Sequence, residues 1–303
     1  MDLVERAKGS LLGLAVGDAI GTSVEFKPRG TFTPVTDMVG GGVFHLQAGQ
    51  WTDDTSMALC LADSLIECHG FDPIDQMQKY SRWMQEGYRS SIGRCFDIGG
   101  TTSNSIRKFL QTGEPYSGST AEYDSGNGCI MRLAPVAIAY QFDEGKNLFY
   151  SGESSRVTHA SIQCIESSKL FGNILRKALL GHEKRSILLE SGGFEITSPK
   201  VRSLASAEYL TRSIDDIRGS GYVIECLEAA LWCFAKTDSF EGAVLKATNL
   251  GDDADTTAAV CGQICGAYYG KDNIPLNWLD TLHLREEIES LASQLCSIFQ
   301  DAS

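Results

Sequence analysis

Two short segments crowd carboxylates beside apolar stretches, and both have the chemistry to hold cations. In QWTDDTSMALCLADSL (50–65) Asp53 and Asp54 are adjacent, and in LGDDADTTAAV (250–260) Asp252, Asp253 and Asp255 lie together. Adjacent like charges repel by up to a few kcal/mol, so such an excess demands cations or protons. Neither cluster contains the His or Cys that favours zinc, whereas carboxylate and hydroxyl oxygens suit Mg²⁺ or Mn²⁺. A pair of such ions needs about four to six oxygen-bearing groups, which the two clusters together supply.

Helix capping is the alternative role for the same side chains. Thr52 and Asp53 are good N-cap types for a helix beginning near Thr55, and Asp253 or Asp255 could serve the helix beginning near Thr256 in the same way. Carboxylates are also favoured at the positive end of a helix. A cap uses only one side chain, however, so capping leaves several carboxylates in both clusters unexplained.

The elements that must position these clusters are helices. Apolar residues recur at helical spacing through most of the chain, convincing strands are few, and no linker or composition break divides the sequence. We therefore predict an all-α fold, a single compact multi-helix domain over residues 1–303. The predicted helices span residues 3–20, 55–68, 74–86, 102–110, 129–140, 155–179, 205–210, 222–234, 240–248, 256–269 and 284–299.

A stripe of small residues marks the helix that follows the second cluster. Ala258, Gly262 and Gly266 recur at a spacing of four. Each glycine inside a helix costs up to about 1 kcal/mol relative to alanine, so the stripe needs a reason. Either it lets another helix backbone approach closely and buries the metal-bearing end of this helix, or the glycines are incidental.

Charge and cysteine usage exclude several classes of protein. A net charge of −13 and a pI near 4.8 argue against nucleic acid or an anionic membrane surface as a partner. No run approaches the roughly 18 to 20 apolar residues that cross a bilayer, so we expect no membrane span. The ten cysteines are scattered without a C-x-x-C pair, and the N-terminus lacks the apolar core of a signal peptide. We expect a cytoplasmic protein that acts as a monomer.

Five segments resemble, in order and spacing, the successive motifs of the ADP-ribosylglycohydrolase family. They are GLAVGDAIGTSVEF (13–26), WTDDTSM (51–57), GNGCIMRLAPVAI (126–138), THAS (158–161) and GDDADTTAAVCGQICGAYYG (251–270). The likeness covers nearly the whole chain and is strongest to the dinitrogenase reductase-activating glycohydrolase type, which removes ADP-ribose from arginine. It implies an all-α fold with a dinuclear Mg²⁺ or Mn²⁺ centre at the bottom of a cleft.

The resemblance also implies a ligand set for the two cations. By motif the ligands would be Thr52, Asp53, Asp54, Asp253, Asp255 and Thr256. This set agrees with the number of oxygen-bearing groups in the two clusters. Asp252 stands where many family members have glycine, so we leave it outside the ligand set and expect it to tune the local charge or to cap the helix.

Three acidic residues are implied to be catalytic, namely Glu25, Asp97 and Asp253. The resemblance places Glu25 beside the metals in acid–base chemistry and gives Asp97 the task of engaging the cationic guanidinium. From the residues alone, Glu25 could be a solvated loop acid and Asp97 a distant N-cap.

The resemblance implies six substrate-binding residues, Gly126, Asn127, Gly128, Met131, His159 and Tyr222. The first four and His159 would contact phosphate and ribose, and Tyr222 would line the adenosine. From the residues alone, SGNGC (125–129) is a turn before a helix at Cys129 whose N–H groups suit a phosphate. His159 could equally be a core or cap residue, and Tyr222 an aromatic at a helix start.

The implied function is metal-assisted hydrolysis of the N-glycosidic bond that joins ADP-ribose to arginine in a mono-ADP-ribosylated protein. ADP-ribose would be the product. Hydrolysis of a serine linkage or of O-acetyl-ADP-ribose is the first alternative, and a non-catalytic ADP-ribose-binding member of the family is the second. A phosphatase with the same metal pair is a third, weakened because no Lys or Arg lies beside either cluster and Arg132 is the nearest in the motifs.

Overall fold

The computed structural model describes residues 1–298, and these residues form helices without a named strand, apart from isolated β-bridges. The prediction of an all-α fold is confirmed. The α-helices are α1 Leu3–Gly21, α2 Asp53–Glu67, α3 Pro73–Glu86, α4 Gly100–Thr112, α5 Ala134–Ala139, α6 Glu144–Arg156, α7 Ile162–Leu179, α8 Lys184–Leu189, α9 Pro199–Ala205, α10 Val223–Ala235, α11 Phe240–Thr248, α12 Ala254–Tyr269, α13 Leu276–Thr281 and α14 Arg285–Ser297.

An antiparallel pair, α1 and α12, runs through the centre of the fold. Both helices are buried over almost their whole lengths, because apolar and small residues occupy all their faces. Helices α2 and α14 pack against α1, while α7, α10 and α11 pack against α12. One hydrophobic core continues through all of these contacts. Within residues 1–298, no helix has both the length and the apolar character needed to cross a bilayer.

Glycine allows the backbones of α1 and α12 to touch. A Cβ atom on Gly262 would lie 1.9 Å from the carbonyl oxygen of Gly13, and one on Gly266 would lie 1.8 Å from that of Gly9. The small-residue stripe therefore serves close helix packing, and the interpretation of its glycines as incidental is wrong. Near the other end of the pair, Gly21 lies against Asp255 in the same way, so the end of α1 lies beside the start of α12.

Several predicted helix boundaries are wrong for local reasons. The helix expected at residues 129–140 begins at Ala134, where Pro135 in the first turn favours a helix start. The helix expected at 155–179 is two helices, since α7 begins at Ile162 and Ser161 caps it by accepting a hydrogen bond from the Cys164 N–H group. The stretch expected at 205–210 contains the end of α9 and a short 3₁₀ helix.

Helices α6, α8, α9 and α13 were not predicted over most of their lengths. In α6 the buried face is polar, with Asn147 and Ser151 packed against Gly172 of α7 and Ser154 accepting a hydrogen bond from Gln76 of α3. It therefore lacks the apolar periodicity of an amphipathic helix. The other three are shorter than eight residues. Phe299, the last residue of the final predicted helix, lies outside the described residues.

Candidate metal centre and substrate cleft

The two acidic clusters meet where α2 and α12 begin. Asp53 and Asp54 occupy the first turn of α2, and Asp255 and Thr256 occupy the first turn of α12. The Thr256 hydroxyl lies 3.4 Å from Asp54 Oδ2, although the two residues are 202 positions apart in the chain. In a second contact between the two clusters, the Thr52 hydroxyl lies 3.2 Å from Asp255 Oδ2. The fold therefore combines both clusters into one acidic centre at two positive helix ends.

The capping interpretation of these residues is wrong. The N-cap residues of α2 and α12 are Thr52 and Asp253, and neither side chain caps its helix. The buried carboxylate of Asp18, on α1, instead accepts hydrogen bonds from the Thr52 N–H group at 2.8 Å and from the Thr55 N–H group at 3.0 Å. Because Asp18 satisfies the start of α2 from another helix, Asp53 and Asp54 remain free for other partners.

Sequence reasoning missed Asp18. Its two oxygens also accept hydrogen bonds from the hydroxyl groups of Thr52 and Thr55, at 2.8 and 2.6 Å. The only sequence signal was a single carboxylate within the apolar run GLAVGDAIG (13–21), a place where an unpaired charge would be costly.

Burial and mutual repulsion disfavour the charged forms of these acids. Burial, followed by the charges of Asp97 and Asp253, raises the pKa of Glu25 to about 9. Burial, followed by the charges of Asp18 and Asp253, raises the pKa of Asp97 to about 8. The pKa values of Asp53, Asp54 and Asp255 are raised for the same two reasons, with burial again the largest. Bound cations would remove this repulsion.

The donor set of the acidic centre fits a hard divalent cation. Asp54 Oδ1 and Glu25 Oε2 are buried without a hydrogen-bond partner. Among residues 1–298, none of the Lys or Arg ion pairs involves the acids of this centre. Glu25, Asp97 and Asp255 each place a carboxylate oxygen within 4.8 Å of the others, a spacing suited to one shared ion. Oxygen donors of this kind are the ligands of Mg²⁺ and Mn²⁺, so the acidic centre can bind metal.

A pair of backbone hydrogen bonds attaches the Glu25 loop to the start of α12. The Phe26 N–H group donates to the Asp252 carbonyl at 2.7 Å, and the Asp252 N–H group donates to the Lys27 carbonyl at 2.9 Å. Asp252 adopts a left-handed backbone with φ of 57°, which glycine favours and aspartate tolerates. This conformation explains why glycine suits the position. The expectation that Asp252 caps the helix is wrong, since Asp253 is the N-cap residue.

Asp97 enters the centre from the loop between α3 and α4. Its φ of 58° turns the chain immediately before the Gly99-Gly100 start of α4. The N-cap residue of α4 is Gly99, so the interpretation of Asp97 as an N-cap is wrong. The preceding Phe96 ring packs edge-on against Phe44, with ring centroids 5.2 Å apart, which anchors the loop.

A cleft of about 390 Å³ opens above the acidic centre. Its walls are residues 25–26, 97–102 and 126–128, together with Met131, His159, Gly221 and the starts of α2 and α12. Thr52, Asp54 and Asp255 do not line this cleft and lie buried beside it. The contributions of Phe26, Thr101, Thr102 and Gly221 were not predicted, because their types carry no chemical signature in the sequence.

The Gly126-Asn127-Gly128 segment forms another part of the cleft wall. The helix expected at Cys129 is absent there, since Asn127–Cys129 is a single 3₁₀ turn, so the prediction of a helix N-terminus for phosphate is wrong. The Asn127 side-chain amide donates to Asp253 Oδ2 at 2.8 Å and joins this wall to the acidic centre. A Cβ atom on Gly128 would lie 2.8 Å from His159 Cε1, so the glycine makes room for the imidazole.

His159 lines the cleft, and Tyr222 does not. Burial, and then the charge of Arg132, lower the pKa of His159 to about 3, so the imidazole is neutral. The Tyr222 backbone pairs with Gly126 as an isolated bridge, but its ring lies in a neighbouring groove. There the Tyr222 hydroxyl contacts Gln163 at 2.5 Å, and the Lys200 ammonium lies 5.0 Å from the ring centroid.

Comparisons with known proteins agree with this geometry. A family model described as ADP-ribosylglycohydrolase matches residues 1–303. The chain is 45% identical over 292 residues to ADP-ribosylarginine hydrolase Tri1 of Serratia proteamaculans, covering 96% of this chain and 79% of that protein. It is 31% identical to ADP-ribosyl-(dinitrogen reductase) glycohydrolase of Rhodospirillum rubrum, covering 94% and 92% of the two chains. A solved structure titled ADP-ribosylglycohydrolase-related protein complex superposes with a TM-score of 0.86 at 41% identity, over 98% of this chain and 99% of that chain. This chain is therefore a member of the ADP-ribosylglycohydrolase family, as the order of its motifs indicates.

Proposed function

We propose that this chain is an ADP-ribosylarginine hydrolase, a metal-dependent enzyme that cleaves the N-glycosidic bond between ADP-ribose and arginine in a mono-ADP-ribosylated protein. The observation that carries the proposal is the meeting of two distant Thr/Asp clusters at the floor of a cleft. The identity of 45% to a protein named ADP-ribosylarginine hydrolase supports the arginine linkage. The product is ADP-ribose.

Two divalent cations, Mg²⁺ or Mn²⁺, are assigned to the acidic centre. The proposed ligands are Thr52, Asp53, Asp54, Asp253, Asp255 and Thr256, and the proximity of Glu25 and Asp97 to Asp255 adds those two as candidates. When bound, the cations supply Lewis-acid activation of water and an anchor for hydroxyl groups.

The acidic centre of the cleft suits the bond that is cleaved, and the uncharged wall of the cleft suits the ribose and phosphate of the substrate. Hydrolysis breaks the bond from the ribose anomeric carbon to the guanidino nitrogen and forms a bond from that carbon to the water oxygen. The carbon passes through a cationic, oxocarbenium-like state, which the carboxylates of the acidic centre stabilise electrostatically. The uncharged wall at Gly126, Asn127, Gly128 and Met131 receives ribose and phosphate, with His159 beside it.

Glu25 and Asp97 handle the proton and the leaving group. Both line the cleft, and Glu25 has an oxygen without a hydrogen-bond partner. Bound cations would favour the carboxylate form of Glu25, which then accepts the proton lost by water. The same proton reaches the guanidino nitrogen as the C–N bond breaks, so the proton count balances. Asp97 engages the guanidinium cation. Tyr222, outside the cleft, is assigned the more distant adenosine.

Adjacent aspartates give a matched pair for testing this function. Purified protein would be incubated with an ADP-ribosyl-arginine protein or an ADP-ribosyl-serine peptide, in Mg²⁺, Mn²⁺ or excess chelator, and released ADP-ribose would be measured. We expect metal-dependent release from arginine alone, lost in Asp253→Asn and retained in Asp252→Asn, because only Asp253 lines the cleft. Release from serine would replace the proposed substrate. No release, despite bound metal, would favour a non-catalytic member of the family.

A phosphatase is not favoured by the cleft. Within residues 1–298 the cleft is lined by no Lys or Arg, and Arg132 is fully buried behind it. A free phosphate dianion would thus face carboxylates without a cationic side chain to hold it.

We also propose that the protein is a single domain over residues 1–303 and acts as a monomer in a reducing cytoplasm without a nucleic-acid partner. All ten cysteines lie within the described residues as free thiols, which is consistent with a reducing compartment. Light scattering after size-exclusion chromatography would test the monomer, since a dimer would double the measured mass.

A further inference from the structure

Arg132 is a buried arginine without a carboxylate partner. It is fully buried, and none of the ion pairs in residues 1–298 includes it. Its guanidinium lies over the Tyr80 ring at 4.6 Å, and its Nε atom has no hydrogen-bond partner. A buried charge that lacks a counter-ion is costly, so a role for it is expected.

The guanidinium is connected to the cleft by two short contacts. Arg132 Nη2 donates to the Thr158 hydroxyl at 2.6 Å, and that hydroxyl lies 2.9 Å from His159 Nδ1. The opposite ring nitrogen, Nε2, lies at the cleft wall, because a Cβ atom built on Gly126 or on Gly128 would be 3.2 Å from it. A series of hydrogen-bonding contacts therefore connects the core to the cleft through Arg132, Thr158 and His159.

The chemistry of the three groups determines which group donates in each of the two hydrogen bonds. A guanidinium can only donate, so the Thr158 oxygen accepts from Arg132. If His159 Nδ1 also donated to that oxygen, the Thr158 hydroxyl hydrogen would be buried without an acceptor, which is unfavourable. The hydroxyl therefore donates to Nδ1, and the single proton of the neutral imidazole lies on Nε2.

We propose that Arg132 and Thr158 are positioning residues that hold His159 as the Nε2–H tautomer, so that His159 donates a hydrogen bond to an oxygen of the ligand beside Gly126 and Gly128. The identity of that oxygen, in the diphosphate or the ribose of ADP-ribose, rests on the proposed function. The low pKa of His159 supports a donor that stays neutral throughout the working pH range.

The tautomer can be measured in the free protein, without substrate or turnover. Long-range ¹H–¹⁵N spectra of histidine-labelled protein distinguish a protonated from an unprotonated ring nitrogen, and the signals missing in His159→Gln identify this residue among five histidines. We expect Nδ1 unprotonated and Nε2 protonated in the wild-type protein. A protonated Nδ1 would overturn the proposal, and this result depends on the variant only for assignment of the signals and not at all on the enzyme reaction.

Variants then test the roles of the positioning residues. Thr158→Val and Arg132→Met should give a mixture of tautomers, and Thr158→Ser should restore the wild-type spectrum. Ser105→Ala is a matched control, because the Ser105 hydroxyl donates to the Thr158 carbonyl at 2.9 Å and leaves the Thr158 side chain untouched. Unchanged tautomers in both disruptive variants would overturn the positioning role.

Measurements of ligand binding test this inference even if the proposed enzymatic function is wrong. Because apparent affinity falls in proportion to the fraction of the Nε2–H tautomer, an equal mixture in Thr158→Val should raise KM about twofold with little change in kcat. If the protein proves not to hydrolyse the substrate, calorimetric titration with ADP-ribose should show the same weakening, and rescue by Thr158→Ser. A fall in kcat with unchanged affinity would contradict the role of His159 as a binding donor.

Discussion

Substitution of Gly262 by alanine tests whether the contact between α1 and α12 positions the acidic centre. The added Cβ would lie 1.9 Å from the Gly13 carbonyl oxygen. A carbon and an oxygen need roughly 3.3 Å, so the two helices would have to separate by about 1.4 Å. Because a main-chain carbonyl cannot rotate away, we take the upper value for an overpacked core, about 3 kcal/mol. Alanine regains about 1 kcal/mol of helix propensity, which leaves a net loss of about 2 kcal/mol in the free energy of unfolding.

The same separation would move Asp255 and Thr256 away from Asp54, and we expect metal affinity to fall about tenfold or more. Urea unfolding in chelator would measure the stability, and calorimetric titration with Mn²⁺ would measure the affinity. Gly145→Ala is the control, since Gly145 is an exposed helical glycine whose added Cβ would meet nothing closer than 3.4 Å. Because Gly145→Ala gains helix propensity without a clash, its free energy of unfolding should be unchanged or rise by up to about 1 kcal/mol. Unchanged stability and Mn²⁺ affinity in Gly262→Ala would refute the reasoning.

Three further predictions concern charge and backbone conformation at the same centre. In chelator, stability should fall as pH rises from about 4.5 towards 9, because the raised pKa values of Glu25 and Asp97 let the folded state keep protons that the unfolded state releases. Mg²⁺ should remove much of this slope in thermal unfolding, whereas a flat profile in chelator would count against buried, repelling acids. Asp54→Asn should stabilise the metal-free protein at pH 8 by about 1–3 kcal/mol while abolishing the stabilisation by Mn²⁺, and a less stable variant in chelator would contradict this. Asp252→Gly should keep wild-type stability and Asp252→Val should lose about 1–2 kcal/mol in urea unfolding, since the backbone is left-handed there; equal losses would argue against that conformation.

The sequence predicts the acidic centre well because its signal is local. Adjacent carboxylates such as Asp53 and Asp54 are unfavourable unless a partner neutralises them, and this excess is visible without knowledge of the fold. The glycine stripe of α12 is also visible, since a packed helix does not use glycine without a reason. What the stripe packs against is not visible, because its partner glycines on α1 lie at the other end of the chain.

Other features depend on contacts that leave no local pattern. Asp18 caps α2 from a position 34 residues before Thr52, and a lone aspartate in an apolar helix does not identify its partners. Helix α6 was missed because its buried face is polar and its stability comes from packing on α7. Of the two predicted substrate-binding residues Met131 and Tyr222, only Met131 lines the cleft. The direction of the Tyr222 ring depends on its contacts with Gln163 and Lys200, which the sequence does not reveal.

The pairing of α1 with α12 also sets the order of events during synthesis of the chain. The touching glycines Gly9 and Gly266 are more than two hundred positions apart, so α1 emerges from the ribosome long before its partner exists. The stretch between them must already be largely ordered, or a long loop must close, before the two helices can dock. The acidic centre is therefore completed in one of the last steps of folding. A nascent or truncated chain that lacks α12 still carries Asp54 but has neither Asp255 nor Thr256, so its acidic centre stays incomplete until residues 254–269 are made.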